Sequence, residues 1–162
     1  MKEKLLLVEL SPYPNTNVRD IDYKIDSDKI IQSKKKYPFE LLNDVTVTIQ
    51  TTNFDFSFTI PKKYCWNGAD IPKTLFIFGQ SKDNNYLHAS MVHDYMLEKR
   101  DYIYNLVLKR QISVDEYRRL TSLIFREILK IEKTNTIKAN IMAWCVDVYQ
   151  ATVQRKEWGK LK

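Results

Sequence analysis

Glycine is scarce in this chain, with three residues in 162, so each one invites a backbone explanation. Cysteine is scarcer still. Cys65 and Cys145 lie far apart, and two thiols do not make a disulfide framework, so a reducing compartment is the simpler expectation. Long apolar runs are missing. The basic start "MKEKLLLVELSPYP" carries only Leu5 to Val8, too short for a signal peptide, and no transmembrane segment follows. Histidine occurs twice, and H-E-x-x-H does not occur. No internal repeat, dividing linker, zinc finger, helix-turn-helix or RNA-binding aromatic signature is present.

What is present is ordinary globular composition: 44% apolar and 28% charged residues. The length suits one domain, residues 1–162, with a sizeable core. Aromatics reach 12%, with ten Tyr, which points to an aromatic-rich core or interface. The net charge is +6, which permits an anionic partner without demanding one. The one dense basic run, Lys34 to Lys36, sits beside "YPFE" and reads as a solvated loop rather than a nucleic-acid patch.

The first half reads as β. "LLLVEL" is a short strand closed by Pro12 and Pro14. Asn15 to Lys36 is polar and shows no clear period. Then Val45, Val47 and Ile49 alternate with Thr46 and Thr48. After "TTN", Phe54, Phe56, Phe58 and Ile60 alternate with Asp55, Ser57 and Thr59. Period two on both sides of a short polar connection predicts a β-hairpin, and Pro61 ends its second strand.

The second half reads as α. "NNYLHASMVHDYMLEK" can be capped by its Asn residues. Ser113 and Glu116 match a capping box, followed by Tyr117, Leu120, Ile124, Ile128 and Ile131 at helical spacing. A third helix, capped by Thr136, carries Ile137, Ile141, Trp144 and Val148 on one side. Cys145 reads as core. The expected fold is α+β: a small antiparallel sheet, with a hairpin near 44–60, packed against about three helices.

Two stretches could carry chemistry. In "WNGADIPK", Gly68 can take positive φ, Pro72 fixes its own φ, and Asn67 and Asp70 can bond backbone N–H groups. That describes a rigid corner following Trp66. Read functionally, Asp70 is a carboxylate positioned near a cleft. In "HASMVHDYML", His93 and Asp94 fall inside a helical pattern. His88 lies about 140° away from His93 around that helix, so the two cannot chelate one metal from one face. His93 reads as a core histidine satisfied by a hydrogen bond, or as a general base tuned by a carboxylate. No Ser or Cys nucleophile is compelling, and no metal site or cofactor is expected.

Taken in order, "FTIPKKYCWNGADIPKTLF", "MVHDYML", "TSLIFREIL" and "KANIMAWCVDVYQ" resemble a small family of phages and prophages catalogued as a domain of unknown function, DUF1353. The resemblance covers about residues 54–150. Ile60 and Pro61, then Trp66 to Pro72, match its corner pattern, with Lys73 where Arg is usual. His93 and Asp94 match its H-D pair, and Leu97 falls just past the usual Leu position. Many relatives carry Asp then Ser where this chain has Asn67 then Asp70. A turn needing only short polar side chains tolerates that exchange, whereas metal ligation at one fixed atom does not.

The resemblance implies a phage origin and no established reaction. The expectation is an accessory or virion-associated protein, made in the host cytoplasm and acting by binding a phage structural or host protein. Nucleic-acid binding and membrane insertion are not expected. Two alternatives stand beside it: a hydrolase, metal-dependent or metal-free, using Asp70, His93 and Asp94 on cell-wall material or a peptide, and a small inhibitor of a host defence protein. On the first reading, His93 and Asp94 bond back onto the Asn67–Asp70 turn and the corner is architecture.

Overall fold

A computed structural model describes residues 4–18, 22–26, 29–33, 39–66, 86–105, 109 and 111–161; within 17–33 it describes the backbone alone. The hairpin forms as its period requires. β6 (Val45–Thr51) pairs antiparallel with β7 (Asp55–Ile60), setting Val45 against Ile60, Val47 against Phe58 and Ile49 against Phe56. Thr51 closes the turn, its hydroxyl donating to the Phe54 carbonyl at 2.7 Å. Pro61 follows the last residue of β7, as expected of a residue with no N–H to donate.

β1 (Leu5–Ser11) pairs with the other edge of β6, giving the order β1-β6-β7. Its register slips between Leu5 and Leu7, so Leu6 is an extra residue opposite β6. A bulge of this kind breaks the in–out alternation. Leu6 and Leu7 consequently face solvent while Val8 is buried.

The polar stretch after Pro14 also holds strands. β2 (Thr16–Val18) pairs with β5 (Phe39–Leu41), and β5 with β8 (Cys65–Trp66). β3 (Asp22–Asp26) and β4 (Lys29–Ser33) form a separate hairpin. The Lys34–Lys36 run lies outside the described residues.

Five helices follow among the described residues: α1 (Leu87–Glu98), α2 (Arg100–Ile103), α3 (Val114–Ile131), α4 (Thr136–Thr152) and α5 (Arg155–Gly159). α1, α3 and α4 are the three the spacing predicts, and the two short ones close the C-terminal corner. The capping box of α3 is complete: the Ser113 hydroxyl accepts from the Glu116 N–H, and Glu116 accepts from the Ser113 N–H at 2.8 Å. The cap of α4 is Asn135 rather than Thr136; its side-chain oxygen takes the N–H of Ile137 at 2.9 Å. α1 has no side-chain cap at Tyr86, and the Asn residues preceding it lie outside the described residues.

α3 is the central helix. It touches β1 of the larger sheet, α1 beside it and α4 beyond it. Tyr117, Leu120, Ile124, Phe125, Ile128 and Leu129 are all buried there. α4 packs onto α3 through Ala139, Met142, Ala143 and Gln150, small or slender side chains that let two helices approach closely. Its other side, with Ile137, Trp144 and Val148, is exposed. Cys145, read as core from its neighbours, is half-buried with a free thiol, because it sits at the flank of that outward side. No helix among the described residues is long and apolar enough to cross a membrane.

Candidate functional site

His93 projects from α1 into the junction of three helices. Its Nε2 lies 2.8 Å from the Gln150 side-chain nitrogen of α4, which donates to the ring lone pair. The same amide nitrogen reaches Ser122 Oγ of α3 at 3.3 Å, and the amide oxygen lies 3.2 Å from Thr121 Oγ1. Gln150 is fully buried, and the Phe125 ring meets the imidazole edge-on at 5.6 Å. The helix layer is otherwise apolar here, so each group supplies what its neighbour would lose on leaving water.

Asp94 is the next residue, about 100° further around α1, and it points elsewhere. Its carboxylate is 3.7 Å from His93 Nδ1, beyond hydrogen-bond length. Its charge also acts on Tyr64, whose hydroxyl pKa is raised by burial first and then by Asp94 and Glu98. His93 thus meets the helix junction through Nε2, and Asp94 lies close enough to Tyr64 for its charge to be felt there. Of the corner, only Trp66 is described; Asn67, Gly68, Asp70 and Pro72 lie outside the described residues, and so does the proposed bond from His93 and Asp94 to that turn. The partner in place for His93 Nε2 is Gln150, a residue that no spacing rule connects to it across 57 positions.

Trp66 is fully buried in β8, near-parallel to Tyr64 at 6.2 Å and 5.7 Å from Phe39. Its indole N–H is buried with no acceptor among the described residues. From it the rings continue through Tyr64 to Tyr95 edge-on at 5.1 Å. Tyr95 stacks on Phe58 at 5.8 Å, and Phe58 follows Phe56 along β7. This line of rings ties both three-stranded sheets to α1.

Beside Tyr95 the line opens into a groove of about 620 Å³, walled by Ser57, Phe58 and Thr59 of β7 and by Tyr95, Lys99, Tyr102 and Ile103. Side chains alternate along a strand, so three consecutive lining residues mean that the groove opens on the strand's edge. Among the described residues β7 is paired on one side only. Tyr102 is exposed at the rim, and Lys99 lies there with its ammonium 2.9 Å from Glu98.

A second polar cluster has no counterpart in the sequence reading. His88 Nδ1 is 2.5 Å from Glu132 Oε1, joining the start of α1 to the end of α3. Tyr13 lies edge-on to the His88 ring at 5.0 Å, and burial and the Glu132 charge raise its hydroxyl pKa. Glu132 Oε2 is buried without a hydrogen-bond partner among the described residues. Among the described residues, no three His, Cys, Asp or Glu side chains gather where they could hold a metal ion.

A family model covers the stretch that holds the corner, the H-D pair and α3. The model described as "Protein of unknown function (DUF1353)" matches residues 39–146. The chain belongs to the DUF1353 family. The match begins at β5, earlier than the quoted stretches imply, and ends within α4. It therefore holds the groove, His93 and Asp94, while Gln150 and β1 fall beyond it. No curated protein and no solved structure matches the chain.

Proposed function

We propose that this DUF1353 protein is a phage-encoded, virion-associated accessory protein that acts by binding another protein, and that the groove beside β7 receives it. The observation that carries this reading is the placement of an aromatic groove against a strand edge with no described partner. Such an edge holds a row of backbone donors and acceptors that an extended segment can complete, while adjoining pockets select its side chains. Tyr95 and Tyr102 offer ring faces, and Lys99 offers a cation at the rim. The fitting occupant is an extended segment of a phage structural or host protein, with a large apolar side chain to lie between the two tyrosines.

A photo-crosslinking residue placed at Tyr102 tests this in infected cells, with one at Lys62 on the β7–β8 loop as control. The expected result is one phage or host protein joined at position 102 and not at 62. Mass spectrometry of purified virions should also find the chain. No specific crosslink, together with absence from virions, would end this reading. A host protein captured at 102 would turn it into the inhibitor reading.

A further inference from the structure

We propose that the chain forms a reversible homodimer by antiparallel pairing of α4 with α4 of a second copy. The proposal is independent of the groove. At about 100° per residue, Ile137, Ile141, Trp144 and Val148 fall within about 60° of one another, directly opposite the Ala139, Ala143 and Gln150 face that packs on α3. Ile137 is 71% and Trp144 66% exposed. Asn140, Ala151 and Thr152 complete that outward face, and none carries a charge. The nearest charges, at the two flanks, are engaged inward. The Lys138 ammonium sits 4.9 Å over the Tyr86 ring, and Asp147 pairs with Arg118 of α3.

The spacing chooses the occupant. The four positions are separated by four, three and four residues, so the stripe reads the same in both directions. A two-fold axis through its midpoint sets Ile137 against Val148 of the second copy and Ile141 against Trp144. Every contact is then apolar on apolar. This is the alternating four-and-three spacing of a coiled-coil seam, carried over two heptads. An identical face meets no charge repulsion in that arrangement, and isologous pairing closes at two copies. Four side chains, only two of them about two-thirds exposed, offer less than the ~800 Å² per partner of a standard interface. The dimer is accordingly weak, assembling at micromolar or higher concentration.

Sedimentation velocity on the full chain, from ~1 μM to ~1 mM, should show a shift from 19.3 kDa toward twice that mass. Trp144 gives a local readout, because Trp66 and Trp158 are buried. Acrylamide quenching should fall over the same concentration range. Trp144→Lys and Ile137→Lys alter exposed side chains, so both should keep the wild-type circular dichroism and melting curve and remain monomeric throughout. A chain that stays monomeric with Trp144 fully quenchable overturns the proposal. So does a dimer that forms equally well in both variants, since its interface would lie elsewhere.

Discussion

At the scale of residues, His93 acts through what it touches. Its Nε2 receives an N–H from Gln150, and Gln150 in turn engages Ser122 and Thr121. Gln150→Leu keeps the approximate volume and deletes the amide, leaving His93 Nε2 and Ser122 Oγ short of a partner, while Thr121 keeps its 2.7 Å bond to the Arg118 carbonyl. An unsatisfied buried group costs ~1–3 kcal/mol. We expect Gln150→Leu and His93→Ala each to lower the urea midpoint by an amount in that range or above. The double variant should cost less than the two single effects added, because both remove the same bond. An unchanged melting curve for His93→Ala would remove His93 from the architecture and return it to the candidates for chemistry. None of this partnership is visible from spacing: Gln150 reads as one more polar residue in a helical pattern. What the sequence does show is that His93 lies on the Ala89–Met96 side of α1, among buried neighbours.

Elements divide by how one-sided their burial is. The β6–β7 hairpin was legible because each strand has one apolar and one wet face, and period two records that directly. α3 was legible because its cap is local: Ser113 and Glu116 are three residues apart and need nothing else from the fold. The same local bonds make α3 pH-sensitive. The Ser113 N–H and hydroxyl donate to the Glu116 carboxylate, each at 2.8 Å, and hold its pKa below the usual glutamate value. The unfolded chain therefore takes up this proton at higher pH than the folded one. The cap's contribution is full above the unfolded pKa of ~4.3 and is lost as pH falls through the lower folded value. Ser113→Ala should cost ~1 kcal/mol at pH 7. The gap from wild type should narrow in acid, measured by urea melts from pH 7 to pH 3. A gap independent of pH would mean that Glu116 does not take part. α4 shows the limit of periodicity: the stripe at Ile137, Ile141, Trp144 and Val148 has helical spacing, but spacing does not say which way it faces. Ala139 and Ala143, unremarkable in the sequence, decide it, because small side chains let α4 seat closely on α3.

At the scale of the molecule the layers are unequal. β6 is paired on both edges, and α3 is enclosed by β1, α1 and α4. α4 is held chiefly by α3, with Gln150 and the Arg118–Asp147 pair as its polar ties. Strand β2 and the His88–Glu132 tie were not legible, since both depend on partners far along the chain: 25 residues separate Thr16 from Leu41, and 44 separate His88 from Glu132. β3 and β4 pair locally, Asp26 with Lys29, but the adjacent Ile30 and Ile31 break the alternation that would announce β4. An element held mainly on one side can open while the rest stays folded, and its amides then exchange with a smaller free energy than global unfolding. Native-state hydrogen exchange on dilute, monomeric protein should therefore rank α4 amides ahead of α3 and β6. Amides of Val47, Ile49, Ile124 and Ile128 should exchange only on global unfolding and share its denaturant dependence. Gln150→Leu should speed exchange in α4 more than in β6, because the bond it removes spans the boundary at which α4 leaves. If α4 and α3 exchange at one common free energy in both proteins, the three helices are a single cooperative unit. The His93 junction would then stabilise the molecule as a whole rather than fasten its outermost layer.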